Sequence, residues 1–240
     1  EIPSINPFRK NKQIKPVFKI HTKLVLIMTT ILVFGGFFLI ALLERNNLPL
    51  NELLPGAFFS SVTARTAGFN SLDFGAMSVP TIVIVIFLMF IGASPGSTGG
   101  GIKTTTFAVL WMNATSQITN HRRMIVFKKY IPPMVISRAV VILWFAIFVI
   151  FISTFLLTIV EDKPFLDLLF ESVSAFATVG LSRGITFDLS PWGKIILTVT
   201  MYIGRLGILP LALAITTPND PLIKLKYPAA SINVGFGRGK

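Results

Sequence analysis

The chain has 240 residues, a formal net charge of +12 and 52% of its residues in the hydrophobic class, with a mean hydropathy of +0.74. Only 13% of its residues are charged, against roughly 25% in soluble domains, so a soluble fold of this size would lack the polar surface to cover its core. The basic excess sits in linkers between apolar runs, which fits a membrane face better than nucleic acid, and with no cysteine neither disulfides nor thiolate chemistry can be invoked.

In chain order, residues 1–22 form a basic segment with Arg9, Lys10, Lys12, Lys15 and Lys19. Leu24 to Leu43 is then uncharged for 20 residues, enough for one helix to cross a hydrocarbon core of about 30 Å and too long for a signal peptide. Glu44 and Glu52 lead into Leu53–Ala64, a stretch too short to cross, and then into Thr66-Ala67-Gly68-Phe69-Asn70 and Asp73. Ser78 to Ser94 is apolar, breaks at Pro95-Gly96-Ser97-Thr98-Gly99-Gly100-Gly101-Ile102-Lys103, and resumes toward Trp111. The Gly96 to Gly101 spacing resembles a nucleotide phosphate loop only superficially, because Ile102 intervenes before Lys103 and no soluble strand precedes it.

A second basic stretch carries His121, Arg122, Arg123, Lys128, Lys129 and Arg138. Ala139 to Val160 is uncharged for 22 residues and is the second secure span. Glu161, Asp162, Asp167, Glu171 and Asp188 make the following linkers acidic, around a short stretch from Phe165 to Ala175 and the segment Thr178-Val179-Gly180-Leu181-Ser182. Ile195 to Ile215 is long enough to cross but carries Arg205 at its centre. His21 and His121 are too isolated for a metal site. By the positive-inside rule the basic segments are cytoplasmic, which puts both termini inside and requires an even number of crossings.

Residues 59–70 and 170–182 match with a one-residue gap near Arg65. Each follows a long apolar run and an acidic linker and precedes an interrupted run, so the repeat is parallel rather than inverted. The expected fold is all-α and integral to the membrane: two parallel units of outer helix, pore loop and inner helix, with the first inner helix broken by the glycine-rich loop. Their bounds are 23–130 and 131–216, flanked by a cytoplasmic segment 1–22 and a tail 217–240. In each unit a half-helix enters partway and an irregular strand returns, which lipid tolerates only where that backbone faces protein or water. Consecutive carbonyls of such a strand can replace the water shell of an alkali cation. Gly68 and Gly180 supply the backbone freedom, and Thr66 and Thr178 offer hydroxyl oxygens at the inner end.

On these residues the chain resembles the Ktr/Trk/HKT superfamily of potassium transporters. Residues 66–70 (Thr66, Ala67, Gly68, Phe69, Asn70) and 178–182 (Thr178, Val179, Gly180, Leu181, Ser182) resemble its filter segments, Gly92 to Thr104 its intramembrane gate, and Gly204-Arg205-Leu206-Gly207 the segment carrying its pore arginine. The resemblance implies K+ uptake, sodium-dependent in the Ktr branch, with ions held at filter carbonyls and no organic cofactor. It implies that this chain corresponds to the third and fourth of four repeats, with two further repeats before Glu1. It also implies a homodimer of the full subunit on a cytoplasmic ring of nucleotide-binding regulatory subunits. Lipid is the other expected partner, and nucleic acid is not expected.

Gly96, Gly99, Gly100, Gly101 and Lys103 are then expected to form a gate below the filter, or else a static kink. Arg205 is expected to face the pore and repel waiting cations, or to tie a neighbouring helix carbonyl. Arg65 either tunes the site or pairs with an acid such as Glu171 to brace the half-helices. Asp73 and Asp188 either enrich cations at the mouth or cap the next helix. No nucleophile, base and acid set points to an enzyme. The alternatives are a secondary symporter with a broken-helix binding site and a non-conducting membrane scaffold.

Overall fold

The computed structural model describes residues 20–97, 99–119, 125–127 and 129–206. The expected basic start and tail, Thr98, the linker residues His121, Arg122, Arg123 and Lys128, and the last apolar run from Gly207 to Ile215 lie outside the described residues. The described part is helical, with one short exception.

Helix α1 spans Ile20–Glu44 and α5 spans Pro133–Val160. At 1.5 Å per residue they are about 37 and 42 Å long, sufficient to cross hydrocarbon. Both present large apolar side chains outward: Phe38 is 65% exposed and Trp144 69%. A surface of that kind suits lipid rather than water. Helix α5 begins before the uncharged run because Pro133 opens it with a preset φ and Arg138 interrupts the hydropathy but not the helix.

Short helices follow each long one, α2 over Leu50–Thr63 and α6 over Phe165–Ala177. Helix α6 is the centre of the molecule, with every residue from Phe170 to Ala177 buried. Helix α3, Val79–Phe90, stops at the glycine-rich segment, and α4, Thr104–Ile118, starts after it. Helix α7 is described over Pro191–Leu206. A two-residue ribbon, β1 (Ile125–Val126) with β2 (Lys129–Tyr130), turns the chain between α4 and α5.

Two carboxylates fasten these elements in the same way. Glu44, the last residue of α1, accepts hydrogen bonds from the Ser78 amide (3.0 Å) and hydroxyl (2.6 Å) just before α3. Glu161, just after α5, accepts from the Ser190 amide (2.9 Å) and hydroxyl (2.6 Å) just before α7. Ser190 also accepts from the Gly193 amide at 3.1 Å, the geometry of a helix N-cap. That cap, with Pro191 as the first helical residue, starts α7 before the expected Ile195.

The junction of the three helices differs between the two halves. At Gly36 an added methyl would sit 2.5 Å from the Ser61 hydroxyl and 2.7 Å from Leu88, so only glycine lets α1 approach. Ser61 donates to the Val33 carbonyl there at 2.7 Å. In the second half, buried hydroxyls meet instead: Thr200 lies 2.9 Å from Ser153, which lies 3.4 Å from Ser172. Small residues and hydroxyls at such crossings are the usual means of packing helices where lipid removes the hydrophobic drive.

Candidate functional site

After α2 the chain turns through Thr66 (φ 74°) and Gly68 (φ 77°); after α6 it turns through Thr178 (φ 51°) and Gly180 (φ 94°). In both segments the intervening residue, Ala67 or Val179, has negative φ. In an ordinary strand successive side chains and carbonyls alternate between faces. A change in the sign of φ from residue to residue breaks that alternation and can turn neighbouring carbonyls toward one side, the arrangement that cation filters require.

Both return segments are held from behind by an alcohol on the preceding helix. Thr63 is 2.8 Å from the Phe69 carbonyl and also accepts from the Phe69 amide at 2.8 Å. Ser174 donates to the Leu181 carbonyl at 2.6 Å. The Phe69 and Leu181 carbonyls thus each accept a hydrogen bond from the preceding helix, which braces the segments.

The two segments meet at their glycines. A methyl at Gly68 would overlap the Val179 carbonyl oxygen and come within 3.4 Å of the Gly180 Cα. Gly68 and Gly180 thus share one backbone contact, although 112 positions separate them in the chain.

Directly against this pair lies the glycine-rich loop. Its ends close through a bridge between Ile91 and Ile102, both 1% exposed, and the Ile102 amide donates to the Phe90 carbonyl at 3.2 Å. Gly99 packs against the Thr66 side chain, where a methyl would lie 2.6 Å from its hydroxyl. The Gly100 amide donates to the Thr178 hydroxyl at 2.9 Å, and a methyl on Gly100 would lie 2.9 Å from the Ala177 carbonyl. Gly101 takes φ +69° against Ala177, whereas Gly96, at φ +85°, has open space around it. The Lys103 ammonium donates back to the Gly99 carbonyl and folds the loop on itself.

Arg205 is exposed in the last described turn of α7. It lines a cavity of about 570 Å³ together with Glu171, Thr178, Gly180, Ser182 and Tyr202. Its charge also acts on the Lys103 ammonium. Arg205 is therefore the cation that shares a cavity with Thr178, while Lys103 sits at the end of the glycine-rich loop.

Other expected contacts are corrected. Arg65 does not reach Glu171; its guanidinium turns to α1, 3.5 Å from the Thr29 carbonyl. Glu171 instead accepts from Ser182 (2.5 Å), the Arg183 amide (3.2 Å) and Thr186 (2.8 Å), holding the end of the second return segment. Asp73 caps no helix: it accepts from the Gly75 amide at 2.8 Å in an exposed turn. Asp188 closes a short 3-10 turn and sits 3.8 Å from Lys163. The positions that precede α3 and α7 belong to Ser78 and Ser190. Arg183, which the sequence reading left unassigned, pairs with Asp167 and reaches the carbonyls of Phe74 (3.2 Å) and Gly75 (3.3 Å).

Two long apolar helices, two return segments that meet at their glycines, and a glycine-rich loop packed against both make up the described fold. Comparison with known proteins identifies the class. The family model described as "TrkH: Cation transport protein" matches residues 8–225, and the chain belongs to that family. It is 38% identical over 232 residues to the Ktr system potassium uptake protein B of Bacillus subtilis, covering 94% of this chain and 52% of that protein. It is 41% identical over 222 residues to the protein of the same name from Vibrio alginolyticus, covering 90% and 48%. The potassium/sodium uptake protein NtpJ of Enterococcus hirae is 36% identical over 226 residues, 90% of this chain and 50% of that one. The crystal structure of the potassium transporter TrkH from Vibrio parahaemolyticus shares the fold, with a TM-score of 0.66 at 21% identity over 82% of this chain and 44% of that chain. The chain spans about half the length of these relatives. Each is named for ion uptake or transport, and membership in their family makes this a membrane protein.

Proposed function

We propose that this chain supplies half of a potassium-uptake pore, with Thr66–Gly68 and Thr178–Gly180 as two sides of its selectivity filter. The observation that carries the reading is the contact of Gly68 with Val179 and Gly180, in two segments that share the same alternation of φ. Carbonyls gathered there need only replace water around a monovalent cation, and no covalent chemistry is required. The two units are then repeats of one outer helix, pore loop and inner helix, corresponding to the C-terminal half of the longer relatives. Two further units in the complete subunit close the ring.

The helices α2 and α6 point their C-terminal, partially negative ends toward the space below the filter, where a cation would wait. The glycine-rich loop lies across that space and acts as the gate. Its hydrogen bond to Thr178 holds it closed, and Arg205 and Lys103 add a positive barrier. The basic linkers face the cytoplasm and the acidic ones, with Asp73 and Asp188 at the mouth, face outward. A sodium contribution, dimeric subunits and a cytoplasmic regulatory ring follow from the family resemblance and the names of the relatives.

The test is K+ flux into vesicles reconstituted with the complete transporter that carries this segment. Selective K+ flux that is lost when Gly68 and Gly180 are replaced supports the reading. Undiminished K+ flux in those variants contradicts it.

A further inference from the structure

The two return segments touch at Gly68 and Gly180, and the glycine-rich loop packs against both. A second tie lies three residues beyond Gly180, where Arg183 crosses from one half of the chain to the other. Its Nε donates to the Phe74 carbonyl at 3.2 Å and an Nη to the Gly75 carbonyl at 3.3 Å. The other Nη pairs with Asp167 on α6. The side chains of Arg183 and Asp167 are only 13% and 16% exposed, so water screens the pair little. Beneath it the Phe74 and Phe170 rings, both fully buried, lie 6.0 Å apart across the same seam.

These contacts close a loop of backbone. It runs from Gly68 to Phe74, across the guanidinium to Arg183, and back to Gly180. Three residues span at most about 10 Å of extended chain, so little chain lies between the Arg183 end and the glycines to absorb a shift. The planar guanidinium places two donors on adjacent carbonyls while a third holds Asp167, a geometry that a lysine ammonium cannot reproduce.

We propose that Arg183 is a positioning residue for ion selectivity: by clasping Phe74 and Gly75 to Asp167 it fixes the spacing of the two filter segments. The inference rests on the filter reading above. Arg183 touches no ion; it acts through the backbone that does.

The experiment measures K+ uptake and its inhibition by Na+ in the complete transporter carrying R183Q, R183K or D167N, normalised to the amount of folded protein in the membrane. For R183Q the K+ concentration at half-maximal rate should rise about tenfold, the scale of one lost charge-assisted hydrogen bond, and Na+ should compete better. R183K should shift in the same direction, because it keeps the charge and loses the fork. D167N combined with R183Q should be no worse than R183Q alone. A residue that merely aids folding would lower the amount of protein and leave the half-maximal concentration and Na+ competition at wild-type values. That result in R183Q, or in R183K if R183Q does not accumulate, overturns the proposal. A wild-type transporter without K+ flux would sink the filter reading and this inference together. Wild-type K+ flux with unaltered Arg183 variants sinks the clasp alone.

Discussion

The Thr178 hydroxyl accepts a hydrogen bond from the Gly100 amide at 2.9 Å, joining the return segment after α6 to a loop 78 residues earlier in the chain. The oxygen expected to serve a passing cation is thus occupied by the loop beneath it. In the proposed mechanism one side chain has two alternative partners, the gate amide and the ion, and opening exchanges one for the other.

Replacing Thr178 with valine keeps the shape and the β-branch while removing that acceptor. A neutral hydrogen bond contributes about 0.5–1.5 kcal/mol, so the open-to-closed ratio should rise by about twofold to tenfold. Resting K+ leak through the complete transporter should increase accordingly, and Thr178→Ser should restore it. Leak identical to wild type in the valine variant would show that Thr178 does not hold the loop.

Gly68 and Gly180 should tolerate alanine unequally. At Gly180 the nearest atom to an added methyl is 3.7 Å away, so the cost is backbone strain alone, on the order of 1–3 kcal/mol. At Gly68 the methyl also collides with the Val179 carbonyl, which is backbone and cannot swing aside. Transport by Gly68→Ala should fall further than transport by Gly180→Ala at equal membrane levels. The reverse order would mean that the two segments do not touch as described.

Glu44→Gln and Glu161→Gln test the paired carboxylate clamps. Each removes a charge that accepts two hydrogen bonds from one serine. Hydrogen bonds to a charged group contribute about 1.5–3 kcal/mol, so each variant should unfold at a lower temperature in detergent. The two losses should add, because the clamps share no partner. Stability unchanged in both variants would reduce the clamps to incidental contacts.

Arg205→Ala removes the cation that shares a cavity with Thr178. Resting K+ flux should rise by about tenfold if the arginine adds about 1.4 kcal/mol to the barrier. Flux and gating equal to wild type would leave Arg205 with a purely structural role.

Much of this arrangement can be read along the chain. Uncharged runs mark α1 and α5 because lipid selects for composition, and the Thr66 and Thr178 segments are visible because one motif occurs twice at the same place. The glycine density from Gly92 to Lys103 marks a break because little else lets backbone approach backbone so closely. What the sequence does not reveal is direction. Arg65 and Glu171 are opposite charges in corresponding segments, yet Arg65 points to α1 and Glu171 turns back to its own return segment. The Glu44–Ser78 and Glu161–Ser190 clamps span 34 and 29 residues, with nothing local to connect them. Arg183 reads as one more charge in the loop after Ser182, and its contacts with Phe74 and Gly75 emerge only when the turn after Gly68 is brought beside it.

The most direct measurement is an experimental structure of the complete transporter in rubidium or thallium, with the ion located by its anomalous signal. The expected result is ion density on the axis between the two return segments, within coordination distance of carbonyls from residues 66–68 and 178–180. Ordered ions elsewhere in the membrane, with those carbonyls facing no shared aqueous path, would contradict the account.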